Sequence, residues 1–388
     1  MADTILILGN GFDIAMGRKT KYTDFIEFSN DLSSRKKYII NFRKYIKQYQ
    51  IIKLSRYKDN LYLKFINESR NSFGDNWSNL EIMISHLVDA IMYFKNNMHD
   101  LFYNSRNELN KEHIITLKIK LRKSNNAIAK IFVVDKFVEL YLKRNWKLLQ
   151  REEILEELNS EFIDQLDLLI ELLEIYLSYL DYIDFKVSKI KVEPTALDAV
   201  PNLLSSYVLN FNYTNTSGYL FGTSEERTHF IHGRIDLDRI FNRINTMVFG
   251  IEDKENDVNI DLIPYQKYYQ RVVKETGNDY ETFFEPNIEF KENEIDVPYN
   301  ASKNIIIFGH SVDPLDKEIF QKCFELAEKG EYLYRFIFTY LDESAKRSII
   351  KNLAIILGKE KLIELTGKQN VVFVKSDDKD GMKEVLIP

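Results

Sequence analysis

From Asn30 to Glu193 the chain contains a single glycine, Gly74, and almost no strand-like alternation of apolar and polar residues. A stretch that long without turn residues predicts helices almost throughout. Its clearest pattern is the series Leu155, Leu158, Phe162, Leu166, Leu169, Leu173, Tyr176 and Leu180, spaced by three and four. That spacing is the apolar stripe of a long amphipathic helix, suited to the packing face of a bundle or to a dimer seam. The greasiest part, Leu166 to Ile183, is broken by Asp167, Glu171, Glu174 and Asp181, so it is not expected to span a bilayer.

Both flanks of this stretch read differently. Thr4–Leu8 (TILIL) is a short apolar run followed by Gly9-Asn10-Gly11-Phe12-Asp13, and Tyr22–Leu32 then looks helical. Strand, glycine turn and helix open a βαβ unit. After Pro194 and Pro201 the strand pattern returns at Ser206–Asn210, Thr228–Ile231, Thr246–Phe249, Asn304–Phe308, Tyr332–Thr339 and Asn370–Val374. Helical patterns fall between the later ones, at Pro314–Ala327 and Ser344–Leu357. Strands alternating with helices predict a parallel sheet covered on both faces. Neither flank completes a domain alone. The expected fold is therefore α/β: a Rossmann-like parallel sheet formed by both chain ends, residues 1–30 and 195–388, around an all-helical insertion, residues 31–194.

Bulk composition narrows the function. The 388 residues carry a net charge of -6, which argues against a surface basic all over. One cysteine, Cys323, makes neither an internal disulfide nor a four-cysteine zinc site, and it fits a reducing compartment. The apolar run at Ile5–Leu8 is too short for the core of a signal peptide and lacks its basic start. A cytoplasmic protein is expected, with no membrane partner and no bound metal.

Four polar turns follow four predicted strands, where ligands of open parallel sheets bind. Gly9 and Gly11 let backbone approach a ligand, with N–H groups for a phosphate, and Asp13 suits a ribose hydroxyl or a local cap. The run Asn210-Phe211-Asn212-Tyr213-Thr214-Asn215-Thr216 offers Asn212, able to hold a ribose or position a water. In Ile231-His232-Gly233 a histidine ends a strand, placed for a general base or for a structural hydrogen bond. In Gly309-His310-Ser311-Val312-Asp313-Pro314-Leu315-Asp316, Gly309 and Ser311 suit phosphate or ribose. Asp313 and Asp316 are better read as helix caps.

These motifs, in this order, resemble those of the AbiH abortive-infection family of bacterial anti-phage proteins. The resemblance rests on ILGNGFD with Thr20-Lys21-Tyr22-Thr23-Asp24-Phe25, on NFNYT, IHG and FGHSVDPLD, and on Asn76-Trp77-Ser78-Asn79-Leu80-Glu81 within the helical part. That family is in turn distantly similar to sirtuin-like NAD-binding domains. The likeness implies NAD or a related nucleotide as substrate, with no prosthetic group. It implies Asn212 and His232 as catalytic residues. It implies a ligand-binding set of Gly9, Asn10, Gly11, Phe12, Asp13, Tyr213, Thr214, Gly309, His310, Ser311 and Asp313. Thr214 stands where the sirtuin pattern has Asp, and Asp13 where it usually has Ser. Three functions are compatible with these residues: an abortive-infection effector that hydrolyses NAD, a nucleotide sensor without catalysis, or a nucleic-acid-directed toxin.

The third draws on Arg35–Lys58, with nine Lys or Arg, no acids and interleaved Tyr and Phe. Such a stretch can follow a phosphate backbone or be a solvated face balanced by acidic helices. Further expected partners are a phage-derived trigger and a second copy docked through the helical insertion. Trp77 and Glu81, four apart, share one helix face, with Glu81 either a lid carboxylate or a surface acid.

Overall fold

The computed structural model describes residues 4–34, 39–48, 53–69, 77–106, 108–144, 151–237, 245–251, 261–285, 303–330 and 333–387. The chain opens with β1 (Thr4–Leu8) and the short helix α1 (Asn10–Ala15). Helices follow: α2 (Tyr22–Ser34), α3 (Ile39–Ile46), α4 (Leu61–Ser69), α5 (Trp77–Asn96), α6 (Lys111–Leu121), α7 (Ala127–Arg144) and α8 (Arg151–Asp181). Strand structure resumes with β2 (Tyr207–Asn210), α9 (Thr216–Phe221), β3 (Thr228–Phe230) and α10 (Lys267–Val273). The last part is β4 (Asn304–Phe308), α11 (Lys317–Lys329), β5 (Arg335–Tyr340), α12 (Glu343–Leu357), α13 (Lys359–Gly367), β6 (Val371–Lys375) and α14 (Lys379–Val385).

Among the described residues, six strands join one parallel sheet in the order β3-β2-β1-β4-β5-β6. This is the order of a Rossmann fold, in which the chain leaves the centre in one direction from β1 and in the other from β4. The apolar runs alternate between two cores. Ile5, Ile7, Leu209, Ile305, Ile307, Phe336 and Phe338 enter one. Leu6, Leu8, Val208, Ile306, Phe308 and Ile337 enter the other. Burial on both faces is why these strands carry unbroken apolar sequence instead of alternation.

The chain divides into two compact units. The sheet unit comprises residues 1–20, 177–247 and 274–388, and the helical unit residues 21–176 and 248–273. The helical unit therefore begins ten residues before the expected boundary at 31. It also takes in a second segment containing α10.

Within the helical unit the stripe on α8 is buried from Leu155 through Tyr176. Phe25 and Phe28 of α2 meet Tyr176 at ring distances of 5.8 and 4.8 Å. Tyr265 donates to the Asn159 amide oxygen at 2.9 Å, tying the 248–273 segment to α8. Among the described residues no helix is long and apolar enough to cross a membrane.

One predicted strand is absent. Residues 245–250 form no ladder. Phe249 instead exchanges both backbone groups with the Gln270 side-chain amide, its N–H donating at 2.9 Å and its carbonyl accepting at 3.0 Å. A side chain has taken the place of a neighbouring strand, which an apolar run alone does not reveal.

Candidate functional site

In a parallel sheet every strand ends on the same edge. The turns after β3, β2, β1 and β4 thus stand side by side, and β1 and β4 flank the point where strand order reverses. The central pair is fused backbone to backbone. Gly9 N–H donates to the Phe308 carbonyl at 3.1 Å and Gly11 N–H to the Gly309 carbonyl at 2.8 Å. A Cβ on Gly309, whose φ is +69°, would lie 2.0 Å from the Phe12 nitrogen. One on Gly9 would lie 2.7 Å from the Gly309 carbonyl oxygen. These glycines are required by loop-on-loop packing, whatever else they do.

The β2 turn is clipped to the same place. Asn212 Nδ2 donates to the Gly9 carbonyl at 3.0 Å, and Asn210 orders the turn by accepting from Asn212 N–H and donating to the Thr214 carbonyl. Phe12 enters the core against Phe221 and Phe308. The carbonyl of half-buried Tyr213 receives Ile235 N–H. Ser311 is exposed, and Asp313 caps the turn before α11 by accepting from Leu315 N–H at 3.1 Å. No contact of Asn10 takes part in this geometry.

Asp13 lies in a buried cluster. Thr214 Oγ1 donates to Asp13 Oδ2 at 2.5 Å, while Arg18 Nη1 stands 3.7 Å from the same oxygen. Arg18 is itself buried. It donates to Thr216 Oγ1 at 2.5 Å, to Asp184 at 2.9 Å and to Asp181, and lies over the Phe185 ring. One guanidinium thus serves three carboxylates. Burial pushes the Asp13 carboxyl upward against the pull of Arg18 and Thr214. Burial likewise pushes Asp181 up to about 6, again against Arg18.

The second polar cluster joins three parts of the sequence. Asp316 Oδ1 lies 3.3 Å from His232 Nε2, and Asp316 Oδ2 lies 3.5 Å from His310 Nε2. The three side chains are 7 to 11% exposed. Phe211 sits edge-on to both imidazoles, with ring distances of 5.5 and 4.3 Å, and stacks on Phe320. The His310 ring is oriented from behind, because Nδ1 accepts the Val312 backbone N–H at 2.9 Å. Val312 holds a φ of +55° while fully buried, a strained conformation for a β-branched residue.

Asp316 was the residue that sequence reasoning undervalued. It sits at the start of α11 but makes no side-chain cap bond there. The acid-rich helix start offered a sufficient explanation, and only the fold brings two histidines to it.

In the helical unit Glu81 is not a free surface acid, since Lys267 Nζ lies 3.1 Å away and both are largely buried. The Trp77 side chain lies outside the described residues. Of the basic run Arg35–Lys58, residues 35–38 and 49–52 lie outside them too. Arg56 stands 3.8 Å from Glu171 of α8, an acidic partner of the expected kind. Among the described residues no group of three or more His, Cys, Asp or Glu is placed to hold a metal ion.

The strand order and the turns gathered at the carboxyl edge define an α/β protein of the Rossmann class, with a histidine–aspartate–histidine cluster beside its switch point. The bacteriophage abortive infection AbiH family model matches residues 5–337, and the chain belongs to that family. A role in abortive infection by bacteriophage is supported by that membership. No curated protein and no solved structure matches the chain.

Proposed function

We propose that the sheet unit binds NAD, or a nucleotide related to it, across the carboxyl ends of its strands, and hydrolyses the nicotinamide–ribose bond with His232 as general base. The observation that carries this reading is the placement of His232 against a carboxylate, beside the three other polar turns on adjacent strands. The reaction needs a base and a held substrate more than it needs a metal. Water bonds to the ribose carbon as its bond to the nicotinamide nitrogen breaks. The electron pair neutralises the pyridinium ring, and the proton of the water passes to His232. ADP-ribose and nicotinamide leave. An imidazole oriented by a carboxylate suits that proton transfer. Asn212 anchors the β2 turn over Gly9 and so positions the substrate.

The sirtuin-like likeness gains one point of support. Its two departures, Asp13 and Thr214, are hydrogen-bonded partners. A carboxylate and a hydroxyl are both present at that pair of positions, with their places in the pattern exchanged.

The test is nicotinamide release from NAD by purified protein at high concentration, followed by chromatography, with His232→Ala beside it. Release that falls about a hundredfold or more in the variant is expected. Equal turnover in the two proteins removes His232 from the reaction.

A second reading is ligand binding without cleavage. It is favoured by the engagement of the Gly9 and Gly11 N–H groups with the β4 turn, which takes up donors a pyrophosphate would use. Calorimetry with NAD and ADP-ribose showing heat of binding but no product distinguishes it.

A further inference from the structure

We infer that His310 and Asp316 are positioning residues that fix the tautomer of His232, a division of labour that rests on the reading of His232 as base. The argument begins at a backbone group. The Val312 N–H can only donate, and it donates to His310 Nδ1 at 2.9 Å. His310 Nδ1 must therefore present a lone pair, which keeps the ring neutral and places its proton on Nε2. That Nε2 lies 3.5 Å from Asp316 Oδ2, a separation at which the Nε2–H and the carboxylate attract without forming a closed hydrogen bond.

Asp316 meets His232 with its other oxygen, at 3.3 Å from Nε2. A carboxylate oxygen accepts, so the neutral His232 tautomer carries its proton on Nε2 and its lone pair on Nδ1. The two histidines are then not equivalent. His310 accepts from a backbone donor on one side and stands 3.5 Å from a carboxylate on the other, so a second proton on it would displace the Val312 bond. His232 keeps its lone pair on Nδ1, an atom that is buried here, so that nitrogen takes up a proton once the surrounding turns open a path to it, and the imidazolium so formed lies against Asp316. At 3.3 and 3.5 Å these contacts are longer than closed hydrogen bonds, and ones of this kind tighten when substrate binds.

A divalent metal between the three side chains is the competing arrangement. It needs a lone pair on both Nε2 atoms. The Val312 N–H denies that to His310.

The decisive variant is Asp316→Asn. The amide has one acceptor oxygen and one donor nitrogen. His310 can only donate, so it claims the oxygen. The amide NH2 then faces His232, whose Nε2 must accept, and the His232 proton moves to Nδ1. The residue that was a base loses its basic nitrogen without moving.

The experiment is nitrogen-15 NMR of protein labelled in its histidine rings. The chain has six histidines, so each can be assigned by substitution. In the wild type, Nδ1 is expected to be pyridine-type and Nε2 pyrrole-type in both His232 and His310. In Asp316→Asn the pattern reverses at His232 and persists at His310. If the wild type cleaves NAD, kcat falls roughly 10³–10⁴-fold in the variant with little change in KM.

A wild-type His232 protonated on Nδ1, a wild-type His310 with a pyridine-type Nε2, or a variant that leaves His232 unchanged overturns the inference. The first two of these need no variant, so a failure of Asp316→Asn to fold leaves the test standing. Absence of nicotinamide release defeats the reaction and not the tautomer assignment, because the spectra are read without substrate.

Discussion

The sheet unit holds two polar clusters, and their contrast shows how one fold separates anchoring from chemistry. Around Arg18 the guanidinium is buried and makes closed hydrogen bonds to Asp181, Asp184 and Thr216, with Asp13 at 3.7 Å and itself bonded to Thr214. Around Asp316 the contacts stretch to 3.3 and 3.5 Å, and aromatic rings line the imidazoles. The first is a cation whose charge never leaves it. The second sets two imidazoles, rings that can both give and take a proton, against one carboxylate. A tight cluster built on a permanent cation suits holding α1 to the end of α8. A looser one built on imidazoles suits turnover.

That division is broken most directly by Arg18→Met. Removing the guanidinium leaves carboxylates buried without their counter-charge, and such losses cost about 3–5 kcal/mol. Urea denaturation at neutral pH is expected to show a loss of that size. Part of it should return on acidification, when the carboxylates take up protons in place of the cation. A stability within error of the wild type would mean the cluster anchors nothing. His232→Ala is the complementary probe, because it should lower turnover while leaving the denaturation midpoint nearly unchanged.

A smaller effect sharpens the same contrast. Asp181 has a folded-state pKa of about 6, above the ordinary value of about 3.9. The native state therefore binds its proton more tightly than the unfolded chain does. The associated stabilisation is whole below about pH 4 and is lost as pH rises through 6, on the order of 2–3 kcal/mol. Asp181→Asn should flatten that slope, since its amide has no proton to lose. Denaturation curves taken between pH 4 and 7.5 measure it. An unchanged slope would assign the dependence to Asp13 or to another carboxylate.

How much of this was legible beforehand follows from the kind of interaction involved. β1 and β4 were readable because a strand buried on both faces must be apolar throughout, as TILIL and NIIIF are. The polar turns were readable because strand ends in such a sheet share one edge. What escaped was pairing over distance. Nothing adjacent to Arg18 in sequence announces Asp181 and Asp184. Nothing in PLDKEIF separates an aspartate that caps a helix from one that holds two histidines. The glycines are ambiguous in a different way. A glycine needed for loop-on-loop contact looks the same in sequence as one that makes room for a phosphate. The strand expected at Thr246–Phe249 gave way to Gln270, whose side-chain amide takes both backbone groups of Phe249.

Asn212 stands on the border between the two clusters' roles, and it carries the smallest predicted loss of stability. Its amide holds the Gly9 carbonyl, so Asn212→Ala leaves that buried acceptor without this donor and should cost about 1–2 kcal/mol. Read by denaturation alone, that result would place Asn212 with the anchors. Its turnover separates the roles. A residue that only clips two turns together should lower NAD hydrolysis in step with the fraction unfolded, which is negligible for a loss this small. A residue that also sets the substrate against His232 should lower it about a hundredfold in protein that remains folded. The expected outcome is the second, because the clip fixes the β2 turn on the very backbone that packs against Gly309 and His310. A variant of Asn212 that loses stability but keeps its turnover would leave His232, Asp316 and His310 as the whole of the working cluster.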